Sequence, residues 1–152
     1  MSAPRPLPFL QACRRESTSY TPVWLMRQAG RYMPEYRAMR AKHGFLDLCK
    51  TPEAAAEVTL QPVKRLGVDA AILFADILLV LEPLGVGLEY TRGDGPRIHR
   101  PVRSAEDVER LAPVEVQQAV PFVFETVRLA RRALGDRLPL IGFAGAPFTL
   151  AS

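Results

Sequence analysis

The chain has 152 residues, 48% of them hydrophobic and 24% charged, which is ordinary globular composition and enough for one domain with a core. Its longest apolar stretch, residues 70–81, is broken by Asp76 and falls short of the roughly 18–20 residues that span a bilayer, so no membrane partner is expected. The net charge of +4 is uneven, because residues 1–50 carry nine Lys or Arg against three Asp or Glu, and a basic first third suits an anionic partner such as nucleic acid, an acidic surface or a small polyanion.

Residues 1–21 contain Pro, Ser and Thr, lack the apolar stretch of a secretory signal, and read as a loose N-terminal arm. Residues 22–26 are a short apolar run that predicts a buried strand. Residues 27–31 follow as a loop, with Gly30 supplying backbone freedom. A helix is predicted over 32–42, opening near Pro34 and ended by Gly44. The next helix has stronger punctuation: Thr51 as cap, Pro52 at the first helical position, Glu53 and Glu57 early, Gly67 at the close. Residues 70–74 predict a second strand, with Asp76 just beyond it. Residues 82–103 read as loop and hairpin, with β-like pieces at 87–90 and 97–100. Ser104 caps a short helix, residues 115–134 form a longer one ended by Gly135, residues 138–143 predict a third strand, and Pro147 opens a further helix. Apolar strands separated by helices predict an α/β fold with a parallel sheet.

Several residues are placed to carry chemistry. Arg27 and Arg31 lie four apart directly after the first strand, and two guanidinium forks suit a ligand with several carboxylates. The same spacing fits two solvated arginines in a loop. Asp76 stands past the carboxyl end of the second strand, where parallel α/β folds bind ligands. It could hold N–H donors and stabilise developing positive charge, or serve only as a helix cap. Phe45, Ile72 and Phe74 could face a large ring or simply be core. His43 and His99 have no metal-ligand spacing, and Cys13 and Cys49 are too far apart for a metal knuckle or a disulfide framework, which predicts a reduced, cytoplasmic protein without a metal. No phosphate loop and no nucleic-acid recognition motif is present, so a basic nucleic-acid module has only its charge in its favour.

Residues 22–37, with the core motif Arg27-Gln28-Ala29-Gly30-Arg31, resemble the uroporphyrinogen decarboxylase family. The resemblance continues through Leu48-Cys49-Lys50, residues 57–62 and 69–78, Gly95-Pro96-Arg97 and residues 139–150. The Arg-Gln-Ala-Gly-Arg motif separates this family from its wider superfamily. The resemblance implies a (β/α)8 TIM barrel, of which this chain holds the N-terminal part with three barrel strands, 22–26, 70–74 and 138–143. It divides the chain into an arm, 1–21, and an incomplete barrel domain, 22–152. It implies a carboxy-lyase acting without metal or organic cofactor on uroporphyrinogen III, in a cytosolic homodimer with no nucleic-acid partner. By the same resemblance, Arg27 to Arg31, including the backbone of Gln28, Ala29 and Gly30, hold substrate carboxylates. Phe45 is a substrate contact, Ile72 and Phe74 pack on the macrocycle, and Asp76 binds the pyrrole N–H groups, making Asp76 and Arg27 the catalytic pair. Ala75 and Phe148 depart from the serine and tryptophan usual at those places. The chain stops in the first turn of a helix, just before the family's active-site tyrosine, whereas such a barrel takes about 250 residues. The expectation is therefore a piece that is inactive alone. A related barrel methyltransferase using zinc and a corrinoid or thiol substrate is the alternative, and the Arg-Gln-Ala-Gly-Arg loop argues against it.

Overall fold

A computed structural model describes residues 7–91, 95–111 and 113–151. The arm is more ordered than its composition predicts: α1 (Pro8–Cys13) opens on a proline at its first turn, where the missing N–H costs nothing. Residues 1–6 of the expected arm lie outside the described residues.

Helix α2 (Pro34–Lys42) begins at the predicted proline and carries Glu35 in its first turn and Arg40 and Lys42 in its last, each matched to the helix dipole. Gly44 does more than end it. It precedes α3 (Phe45–Lys50), a short helix the sequence reading did not separate, which buries Leu48 and Cys49. Helix α4 (Pro52–Leu66) follows, and Gly67 closes it in the left-handed conformation at φ 64°. Thr51 occupies the cap position without capping. Its hydroxyl donates to the Asp47 carbonyl at 2.8 Å and so ties α4 back to α3. Met33, Tyr36, Leu48, Ala54 and Val58 form the core where α2, α3 and α4 meet, with Ala29, Met39 and Phe74 packed against it.

The predicted helix over 115–134 is divided. Helix α6 (Val116–Ala119) stops before Pro121, which opens α7 (Pro121–Leu134), because proline clashes with the preceding turn and donates no hydrogen bond to it. Helix α7 packs along α4. The strand β1 (Ala71–Ile72) pairs in parallel with β4 (Leu140–Ile141), Ala71 opposite Leu140 and Ile72 opposite Ile141. Parallel strands with helices between them make this an α/β fold. The predicted hairpin is present, β2 (Leu88–Thr91) pairing antiparallel with β3 (Gly95–Ile98), one and two residues from the predicted pieces at 87–90 and 97–100. Helix α5 (Ala105–Glu109) carries a full capping box between Ser104 and Asp107. A short α8 (Pro147–Ala151) ends the described residues.

Residues 22–26 correct the reading. They form no ladder strand and are not buried: Val23 is 51%, Leu25 49% and Met26 75% exposed. Only one backbone hydrogen bond, Asp69 N–H to the Val23 carbonyl at 2.8 Å, joins this run to the approach to β1. The return bond, from Val23 N–H at 2.7 Å, goes to the Asp69 side chain instead of to backbone. A carboxylate in place of a carbonyl ends the ladder there. The other two predicted strands exist but are two residues long, since each ladder extends only as far as its partner does.

Candidate active site

The site is built on the exit from β1. Thr59, fully buried on α4, donates its hydroxyl to the Ala55 carbonyl at 2.8 Å and accepts the Phe74 N–H at 2.9 Å. That clamp fixes the chain just before Asp76. Asp76 then heads a short 3-10 helix, Ile77–Leu81, and its Oδ1 accepts the Leu78 N–H at 2.8 Å. The cap reading of Asp76 is therefore correct as far as it goes, but the same carboxylate also lines a cavity of about 670 Å³.

Arg27, Ala29, Phe45, Ile72, Phe74 and Asp76 all line that cavity, so six of the nine residues singled out from sequence come together. Trp24, Met26, Tyr36 and Phe143 extend its apolar wall. Arg31 faces elsewhere. It lines an adjoining cavity of about 740 Å³ together with Arg40, Lys42, His43 and Tyr90. Tyr36 and Phe45 belong to both cavities and form the partition between them. Gln28 and Gly30 line neither. Gln28 is completely buried, accepting the Leu25 N–H at 3.2 Å and donating to the Ala70 carbonyl at 3.2 Å. Its side chain docks the arginine loop onto the base of β1. Gly30 leaves room for Tyr32, whose ring would stand 3.3 Å from any Cβ placed there. The Tyr32 hydroxyl donates to the Gln28 carbonyl and closes the loop.

The aromatic partition is continuous. The Phe45 ring centroid is 6.0 Å from that of Phe74 and 4.7 Å from that of Tyr90, and Tyr36 stands 5.8 Å from Phe74. These are ordinary edge and tilted aromatic contacts. The Arg40 guanidinium sits 5.5 Å from the Phe45 centroid, within cation–π range. Sequence reasoning missed Tyr36, Arg40 and Tyr90. Arg40 was reachable, being one helical turn from Tyr36 on α2. Tyr90 was not, because it reaches the site only through the folding of the hairpin.

Three ionisable groups are shifted by these surroundings, and in Tyr36 burial raises the phenol against the opposing pull of Arg40 and Arg31. Burial, and secondarily the Asp76 charge, pushes the Cys49 thiol up to about 12. Burial first, and then the influence of the Asp76 carboxylate, raises the Tyr90 phenol above its ordinary range. Cys49 is thus a neutral thiol at physiological pH, while Cys13 is exposed. Iodoacetamide at pH 8 is expected to alkylate Cys13 in the folded protein and both cysteines after denaturation; mass spectrometry of the native sample showing rapid Cys49 modification would contradict the burial. Among the described residues no three His, Cys, Asp or Glu side chains gather in a metal-binding group, and no helix is long and apolar enough to cross a membrane.

A cavity past the carboxyl ends of parallel strands, walled by aromatics and holding one carboxylate and one arginine, lies where α/β folds commonly bind ligands. A methyltransferase from Methanosarcina mazei shares this fold, with a TM-score of 0.75 at 23% identity over 95% of this chain and 43% of its own. The family model for uroporphyrinogen decarboxylase matches residues 6–152, and the chain belongs to that family. It is 61% identical over 144 residues to the uroporphyrinogen decarboxylases of Carboxydothermus hydrogenoformans and Sorangium cellulosum. It is 59% identical over 148 residues to that of Syntrophotalea carbinolica. Each alignment takes in at least 95% of this chain, but the chain spans only 41% to 43% of the length of those relatives.

Proposed function

We propose that the polypeptide to which this chain contributes removes the four acetate carboxylates of uroporphyrinogen III, giving coproporphyrinogen III, as a cytoplasmic homodimer without a cofactor. The observation that carries this reading is the meeting of Arg27 and Asp76 in one cavity walled by Phe45, Ile72 and Phe74. In this reading β1 and β4 contribute strands to a (β/α)8 barrel, preceded by an N-terminal arm, residues 1–21.

The chemistry needs an electron sink. Protonating a pyrrole ring makes it cationic, the bond between the acetate methylene and its carboxylate breaks, and the released pair neutralises the ring as carbon dioxide leaves. A second proton on the methylene and loss of the ring proton give the methyl group, so each cycle consumes one proton per carbon dioxide. Asp76, acceptor-only when ionised, takes the pyrrole N–H groups and stabilises the cation more than the neutral ring. Arg27 holds a carboxylate with its fork and fixes its orientation. Arg31 takes a peripheral carboxylate from the adjoining cavity. The aromatic and aliphatic wall excludes water and covers the ring face.

The test is incubation of the complete polypeptide with uroporphyrinogen III under anaerobic conditions. Stepwise loss of carboxylates ending at coproporphyrinogen III supports the reading. No loss from a folded protein that binds no porphyrinogen overturns it.

A further inference from the structure

We infer that Thr59 is a positioning residue for this reaction: its hydroxyl pins the backbone at the exit from β1 and so places the Asp76 carboxylate. The inference rests on the decarboxylase reading above. It gives a kinetic role to a residue that stands behind the cavity and does not line it.

The backbone of β1 is held on its two edges by different means. The Ala71 and Leu73 N–H groups go to the Pro139 and Ile141 carbonyls, each at 3.0 Å, which completes the ladder with β4. Alternate residues of a strand turn their backbone groups to the opposite edge, so Ala70 and Phe74 face away from β4. On that edge side chains stand in for a strand. Gln28 donates to the Ala70 carbonyl at 3.2 Å, and the Thr59 hydroxyl accepts the Phe74 N–H at 2.9 Å. A backbone N–H inside the fold must find a partner, and Thr59 supplies one of fixed polarity. Its single hydroxyl hydrogen is committed to the Ala55 carbonyl at 2.8 Å, which leaves only lone pairs for Phe74. Thr59 is wholly buried, so water does not compete for either bond.

Two residues past Phe74 the chain is fixed again, where Asp76 Oδ1 accepts the Leu78 N–H at 2.8 Å. The carboxylate therefore lies between two pins, one on each side of it in sequence. The Phe74 ring has supports of its own, with centroids 5.8 Å from Tyr36 and 6.0 Å from Phe45, so loss of the Thr59 hydroxyl acts on the backbone that leads to Asp76. A carboxylate already in place when a cationic ring forms costs no reorganisation at that moment. A misplacement of about 1 Å can lower a rate by as much as ~10²-fold.

The test uses Thr59→Val and Thr59→Ser in the complete polypeptide, each also in the Asp76→Asn background. Thr59→Val keeps the shape of the side chain and removes the hydroxyl. Its kcat for uroporphyrinogen III is expected to fall about tenfold with KM changed less than about threefold, the pattern of a loss felt in the transition state. Thr59→Ser keeps the hydroxyl and is expected to hold kcat within about threefold of wild type, although both variants lower the unfolding midpoint. In the Asp76→Asn background Thr59→Val is expected to cost nothing further in kcat while its loss of stability persists. An unchanged kcat in folded Thr59→Val overturns the inference. So does an equal loss in Thr59→Ser, or a tenfold loss that persists in the double variant. Thr59→Ala removes the same hydroxyl with less bulk, and the same outcomes decide where Thr59→Val does not fold. A wild-type rate in Asp76→Asn alone removes the role of Asp76 and that of Thr59 with it, whereas no turnover by the wild-type polypeptide overturns the decarboxylase reading itself.

Discussion

Replacing Asp76 with Asn in the complete polypeptide is expected to lower kcat by about 10²–10³-fold, the usual loss when one preorganised electrostatic partner of a transition state is removed. The substitution is chosen with the 3-10 helix in mind. An Asn oxygen can still accept the Leu78 N–H, so the cap survives while the charge is lost. Asp76→Ala removes both, and should show the same kinetic loss plus about 1 kcal/mol of stability from the missing cap. Steady-state assay of both variants, with thermal unfolding alongside, separates the two contributions. Near-normal turnover in Asp76→Asn would mean that the carboxylate serves the fold alone.

Gln28→Ala is expected to be the most damaging change to stability in the arginine loop, costing about 2–4 kcal/mol in urea unfolding. The side chain is wholly buried, and its removal strands the Leu25 N–H and the Ala70 carbonyl while leaving a void. Gln28→Glu is a sharper control. It keeps an oxygen for Leu25 but cannot donate to Ala70 and buries a charge, so it should be at least as destabilising. Because Arg27 is the next residue, both variants should also raise KM. A loss under about 0.5 kcal/mol for Gln28→Ala would show that the loop is held by something other than this side chain.

The helices were legible where the signal is local. Pro34, Pro52 and Pro147 each stand at a first turn, Gly67 adopts the left-handed close that ends α4, and Ser104 forms its capping box. Pro121 is an equally local signal, and it divides the helix predicted over 115–134. Strand length was not legible, because a ladder is a property of two segments. Residues 22–26 have the apolar character of a strand, but the Asp69 side chain takes the bond that a backbone carbonyl would need. The site divides along the same line. Arg27 and Asp76 could be placed from their positions after apolar runs, and Ile72 and Phe74 from their place in one. Gln28 enters the substrate loop only through the family resemblance, and by its backbone, while the burial of its side chain depends on contacts with Leu25 and Ala70, the latter 42 residues away. Arg31 and Arg27 share a spacing that permits one site, and the partition of Tyr36 and Phe45 puts them on two. Nothing near Tyr90 in sequence points to its ring contact with Phe45.

The most direct test of the account is a crystal structure of the complete polypeptide with coproporphyrinogen III bound under anaerobic conditions. The expected result places the macrocycle against Phe45, Ile72 and Phe74, with its pyrrole N–H groups at Asp76 and a carboxylate on Arg27. A macrocycle bound outside this cavity, leaving Asp76 without a ligand contact, would contradict it.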